Sequence, residues 1–287
     1  VESRGLGDVY KRQELNITNG ANFYQTREAK IATLLNDSSR GLSDEQKEYW
    51  QNINSQVETP FQYGYYEGWL TINTCFELLM FAILAVCIVL APVFSGEYQA
   101  GTDAVILSGK YGKTKLTTAK IIASYLFGLF AFTIHILVAF GLPLVAFGVD
   151  GWNLPMQIAG TSIPYPFTFL QGILVNLGVI YFVLFAIIGL TLLLSSKMRS
   201  PYLVLIVLVP VLFIPMFLSA NGTTGAYNLT LFLLPYYAVQ PQFGSYISYQ
   251  LGSLVLDAFS TRTILYAVLT VCMLPLAKRG FKKHQVS

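Results

Sequence analysis

Apolar runs dominate the chain after a polar opening stretch, and they fall at residues 76–94, 121–148, 167–194, 202–218 and 263–277. Runs near 20 residues are long enough to cross a bilayer as helices. The second and third runs exceed that length, so tilt or kinks are expected, with Pro143, Pro210 and Pro215 as the candidate kink points. The fifth run is short, and residues from Leu254 onward are expected to extend it. Between the fourth and fifth runs, residues 229–239 are apolar but too few to cross, and Pro235 interrupts them. That pattern reads as a re-entrant or interfacial segment buried against protein.

The polar stretch, residues 14–70, reads as a small helical region in water. A helix is expected over 22–35. Ser43 followed by Gln46 forms a capping box for a second helix, running to about Gln56 and ended by Pro60. The segment FQYGYYEGWL follows, placing Phe61, Tyr63, Tyr65, Tyr66 and Trp69 just before the first apolar run. Such a cluster suits the membrane–water interface. A small aromatic core packing the polar helices is the alternative.

Composition agrees with the pattern. The 287 residues are 54% hydrophobic and only 11% charged, against about 25% charged in soluble globular chains. A disordered chain and an ordinary cytosolic enzyme are excluded. A net charge of +3 is too small to suggest nucleic-acid binding. Cys75, Cys87 and Cys272 lack metal-ligand spacing and read as buried thiols. The fold class is therefore an all-α, polytopic membrane helix bundle of five spans, with a small helical external region at 14–70 and a transmembrane domain at 71–287.

Lysine and arginine set the expected orientation. Lys110, Lys113, Lys115 and Lys120 lie between the first two runs, Lys197 and Arg199 between the third and fourth, and Lys278, Arg279, Lys282 and Lys283 after the fifth. The other two connecting loops hold only Arg262. The basic loops and the C-terminus are expected in the cytoplasm, and residues 14–70 outside. The sequons at Asn16, Asn36, Asn221 and Asn228 are then external. The first thirteen residues, VESRGLGDVYKRQ, resemble translated sequencing-adapter read-through. Together with an external polar region, they lead us to expect a missing upstream helix and six spans in a complete chain.

The stretch from Phe94 to Lys120, FSGEYQAGTDAVILSGKYGKTKLTTAK, carries the most specific pattern. Val105, Ile106 and Leu107 beside Glu97, Asp103 and Lys110 predict a short amphipathic helix near the membrane surface, either a linker or a docking element. Span-end FSGEYQAGT, a short helix, LSGKYGKTKL and a closing AK resemble the permease subunits of bacterial ABC-type-2 (type V exporter-like) transporters. The resemblance implies that Glu97, Tyr98, Gly101, Thr102 and Lys113 belong to a coupling element contacting a separate ATP-binding-cassette ATPase subunit. It further implies an exporter in the bacterial cell membrane, pairing with a second permease copy or a related permease. ATP and Mg would sit on the partner, with no cofactor in this chain.

Gly112-Lys113-Thr114 is not a phosphate loop, because G-x-x-x-x-G-K-[ST] needs glycine at 107, where Leu107 stands. No catalytic constellation is visible, so the chain itself is not expected to be an enzyme. His135 and Asn176 are the candidate pathway residues within the spans. For His135 the alternative is a hydrogen bond between helices, and for Asn176 interhelical glue. Glu77, at the outer start of the first run, is expected half a bilayer from His135. Two other functions compete with the permease reading. A secondary transporter would need ion ligands in mid-membrane and repeat symmetry. A membrane assembly factor or sensor would use the external hairpin to bind a partner.

Overall fold

The computed structural model describes residues 22–282. Among the described residues, four helices are long and apolar enough to cross a membrane: Glu67–Gln99, Thr114–Phe147, Phe169–Ser195 and Ala258–Lys282. The chain is a multi-pass membrane protein built mainly of helices.

Two helices precede the bundle, α1 (Phe23–Asn36) and α2 (Asp44–Ser55). The Ser43–Gln46 capping box forms: Ser43 Oγ accepts from the Gln46 N–H at 3.2 Å, and the Gln46 amide oxygen accepts from the Ser43 N–H at 3.0 Å. α2 ends at Ser55, before Pro60 is reached.

The first spanning helix comprises α3 (Glu67–Cys75), a 3₁₀ turn (Phe76–Leu78), α4 (Leu79–Leu90) and α5 (Pro92–Ala100). It starts nine residues before the apolar run does. The early turns are polar, and Thr71 and Thr74 turn their hydroxyls onto helix carbonyls, of Glu67 at 2.9 Å and Thr71 at 2.7 Å. After α6 (Asp103–Ser108) and a π-helical turn (Gly112–Leu116), the second spanning helix is α7 (Thr117–Phe147). Pro143 sits inside α7 without ending it. α8 (Phe169–Ser195) opens on a second capping box, Thr168 with Gln171, and lies at the centre of the bundle with Ile180, Val183, Leu184 and Ile188 fully buried. α7 crosses α8 closely at Gly128, where a Cβ would strike the Ile188 side chain.

The expected fourth span is as long as its apolar run but short of a crossing. α9 (Pro201–Phe213) contains Pro210 and passes into a 3₁₀ turn, Ile214–Phe217, that holds Pro215. Its 17 residues reach roughly 25 Å, short of the ~30 Å hydrocarbon core. Residues 229–239 fall in two short helices, α10 (Ala226–Leu233) and α11 (Pro235–Ala238), joined at an extended Leu234.

Of the residues expected to extend the last span, Ala258–Arg262 do so and Leu254–Asp257 do not. Leu254–Asp257 form β2, paired antiparallel with β1 (Ser248–Leu251), so the molecule is not entirely helical. α12 (Ala258–Lys282) begins where β2 ends. Asp257 caps it, its carboxylate accepting from the Ser260 N–H at 3.0 Å.

Two ends of the bundle differ sharply. At one end, residues 22–66, 148–168 and 218–257 assemble into a polar layer. Trp50 is fully buried there, its indole N–H donating to Ser248 Oγ at 3.2 Å, with Tyr165 and Tyr246 packed edge-on. Arg27 donates to the Thr161 carbonyl at 2.9 Å and to Asn54 at 2.7 Å. Burial pushes the Tyr49 and Tyr246 phenols up to about 12, and raises Tyr165 well above its ordinary value with help from the adjacent Asp257 carboxylate. The aromatic segment before the first span divides between the two expected roles. Phe61, Tyr66 and Trp69 pack inward, and Tyr63 and Tyr65 remain exposed. At the opposite end lie the residue 100–120 loop, the 196–200 turn and the C-terminal turns of α12. Of the cysteines, Cys87 is buried, Cys75 half-buried and Cys272 exposed on α12, which corrects the expectation of three buried thiols.

Candidate coupling site

At the lysine-rich end, the hydrogen-bond ladder of the first spanning helix is interrupted just before the loop. Pro92 has no N–H to donate to the preceding turn, so the hydrogen-bond ladder is interrupted there although Ala91 keeps helical geometry and donates to the Cys87 carbonyl at 2.8 Å. A serine from α8 fills the gap. Ser195 Oγ accepts from the Phe94 and Ser95 N–H groups, each at 3.0 Å, and donates to the Ala91 carbonyl at 2.6 Å. Ser95 Oγ donates to the same carbonyl at 2.8 Å. A wedge from one span thus satisfies the broken ladder of another, in a place closed to water.

α5 is fastened at three further points. Tyr98 donates its hydroxyl to the Ser196 carbonyl at 3.0 Å. Phe281, near the end of α12, packs on Phe94 and Tyr98. Glu97 forms an ion pair with Lys120, which also donates to the Val93 carbonyl at 2.9 Å. Both side chains of the pair are mostly buried, and the second carboxylate oxygen of Glu97 accepts no hydrogen bond.

Gly101 ends α5 in the left-handed region, at φ 66°, with its N–H on the Glu97 and Tyr98 carbonyls. Nothing stands within 4 Å of where its Cβ would be, so backbone conformation alone makes glycine suitable here. Thr102 is exposed and places its hydroxyl 3.4 Å from the Glu97 carbonyl. The short helix expected at 103–108 is present as α6. Asp103 is buried and Ile106 packs toward the core, whereas Val105 is 76% exposed. Tyr111 and Leu116 are exposed beside it, with the Lys115 ammonium 4.7 Å above the Tyr111 ring. The backbone of Lys113 lies in the π-helical turn; its side chain is outside the described residues.

Glu97 and Tyr98, expected as contact residues, therefore turn inward and hold α5 against its neighbours. The outward surface is made by Val105, Tyr111 and Leu116. Sequence reasoning missed Ser195, Ser196 and Phe281. Pro92 inside an apolar run and the Ser-Ser pair ending another were the available signals.

The two pathway candidates separate. Asn176 is fully buried on α8 and donates to the Val239 carbonyl at 3.2 Å, its oxygen accepting nothing. It works with Arg262 and Tyr266 of α12, which donate to the Phe232 carbonyl at 3.0 Å and the Leu233 carbonyl at 2.7 Å. These three side chains satisfy the carbonyl ends of α10 and α11. His135 is exposed on α7 and bonds within its own helix, Nδ1 donating to the Ala131 carbonyl at 2.7 Å. The expected bond between helices is absent. Leu78 and His135 line one apolar groove, so Glu77 and His135 are not half a bilayer apart. Glu77 lies further into the first spanning helix than its apolar run implied. Among the described residues, no group of three or more His, Cys, Asp or Glu could hold a metal ion. No family model, curated protein or solved structure matches this chain.

Proposed function

We propose that this chain is the permease subunit of an ATP-driven exporter, and that residues 92–120 transmit movement from a separate ATPase subunit into the spans. The carrying observation is the exposed apolar set of Val105, Tyr111 and Leu116, presented by a segment anchored behind it to α8, α7 and α12. An apolar patch among lysines at the end of a membrane bundle suits a partner docking from the aqueous side. Its anchoring suits transmission, because α5 cannot shift without pulling on Ser195, Lys120 and Phe281. In this reading the lysine-rich end faces the cytoplasm of a bacterium. The Pro201–Phe217 segment joins that end to the polar layer and acts as a fifth crossing. A second permease copy completes the pathway, and ATP and Mg reside on the ATPase, with no bond chemistry in this chain.

Val105→Asp tests the reading in the permease co-expressed with the ATP-binding-cassette subunit encoded beside it. The substitution touches an exposed side chain, so folding and membrane insertion stay at wild-type levels. Co-purification of the ATPase and transport-coupled ATP hydrolysis fall together by about tenfold, the loss expected for a charge in a desolvated contact. Wild-type values in both assays, or no such neighbouring gene, overturn the proposal.

A further inference from the structure

Much of α7 faces outward, and two cavities lie on the seam it forms with the first spanning helix. One, of about 370 Å³, lies toward the lysine-rich end between Val89, Val93, Lys120 and Phe127. The other, of about 540 Å³, lies farther along, between Leu78, Ala82, Ile134 and His135. Both follow the same face of each helix. Residues 78, 82, 85, 89 and 93 of the first helix recur every three or four positions, and residues 120, 124, 127, 134 and 138 of α7 every three, four or seven. The two cavities are stretches of one groove.

From residue 120 to residue 139 the groove rises about 28 Å along α7, close to the ~30 Å of a hydrocarbon core. Small side chains line it: Ala82, Ala85, Ala123, Ser124 and Ala139. Small residues let another helix approach closely, so its large apolar side chains can seat between them. A lipid tail belongs to one leaflet and ends near the midplane, so no single lipid fills a groove of this length.

His135 narrows the occupant further. It is exposed near the middle of α7 and lines the groove. With Nδ1 donating to the Ala131 carbonyl at 2.7 Å, Nε2 of the uncharged ring is an acceptor. Nε2 has no partner among the described residues. Lipid tails offer no donor, and ionisable side chains within a span almost always face protein or a water-filled cavity. A hydroxyl or amide donor on a neighbouring helix satisfies this nitrogen.

We infer that the groove receives one transmembrane helix of a separate polypeptide, apolar along its length and carrying a serine, threonine or asparagine that donates to His135 Nε2. The inference does not rest on the exporter reading, since it needs only a multi-pass membrane protein. The full chain, reconstituted in dioleoylphosphatidylcholine vesicles, is titrated with a synthetic peptide of about 20 leucines and alanines, with lysines at both ends, a terminal dansyl group and one central serine. Energy transfer from the chain's tryptophans should saturate. The same peptide with leucine for the serine should bind about three- to tenfold more weakly. His135→Leu should erase the difference between the two peptides. Ala85→Phe adds a ring at an exposed position in the groove, and should abolish binding of both with the melting temperature unchanged. The proposal is overturned by no saturable transfer to the serine peptide, by equal affinity of the wild-type chain for both peptides, or by a difference that persists in His135→Leu. Undiminished binding in Ala85→Phe overturns it too, as does displacement of the peptide by an unlabelled second copy of the chain.

Discussion

Replacing Ser195 by alanine isolates the wedge that repairs the break at Pro92. The hydroxyl accepts from the Phe94 and Ser95 N–H groups at 3.0 Å and donates to the Ala91 carbonyl at 2.6 Å, with Ser95 Oγ a longer contact at 3.4 Å. Ala91 keeps a partner without it, because Ser95 Oγ reaches the same carbonyl at 2.8 Å. The two N–H groups lose their acceptor where water does not enter, at about 1–3 kcal/mol each. Some relaxation of α5 recovers part of that, which leaves a loss of about 2–4 kcal/mol. For a chain of this size about 2 °C accompanies each kcal/mol, so the melting temperature should fall by about 4–8 °C. Ser95→Ala is the control. It removes one donor from a carbonyl that Ser195 still serves, and should cost about 0.5–1 kcal/mol. Thermal unfolding of the purified protein, followed by tryptophan fluorescence, compares the two. Equal shifts for Ser195→Ala and Ser95→Ala would refute the wedge, because the argument assigns the larger share to the orphaned N–H groups.

The Glu97–Lys120 pair is mostly but not fully buried, so a double-mutant cycle with Glu97→Gln and Lys120→Met should return a coupling energy of about 1–3 kcal/mol; a value near zero would show that the pair holds nothing. The polar layer should weaken in alkali. The folded phenols of Tyr49 and Tyr246 lie at about 12, above the unfolded value near 10. Stability is therefore complete below pH ~10 and declines as pH rises toward 12. The urea midpoint followed at Trp50 should drop between pH 9 and pH 11, and Tyr49→Phe should flatten that drop.

How much of this was legible depended on whether the cause lay close by in sequence. The capping box at Ser43 and Gln46 needs only three residues, and it forms as read. The basic residues near the helix ends do gather at one end of the bundle, since loop charge is a local record of which loops lie together. Boundaries were harder. Glu67 to Cys75 is helical despite Thr71, Asn73 and Thr74, because hydroxyls bonded to their own helix cost little, and hydropathy has no way to register that. Leu254, Val255 and Leu256 are apolar enough to extend a span, yet four residues of strand alternation are too few to separate from a helix.

The geometry of the candidate site was hidden for a different reason. A glutamate where the first run ends, with Lys113 and Lys120 flanking the next, can bond to basic groups of its own loop or of a partner; the structure pairs Glu97 with Lys120, while the sequence leaves open that the loop presents Val105 to solvent. Ser195 is 103 residues from Pro92, and neither residue identifies the other. Proline breaks a helical ladder wherever it falls, but what repairs the break depends on which span packs there. The residues that would transmit movement are thus the ones whose roles exist only in the assembled bundle. A change at Ser195, buried and remote from any docking partner, should disturb coupling as surely as a change on the exposed face of α6. In the co-expressed complex, Ser195→Ala should lower ATP hydrolysis while the ATPase still co-purifies, whereas Val105→Asp should lower both together. Retained hydrolysis in Ser195→Ala would mean that the break at Pro92 only shapes the bundle, with no part in relaying the movement.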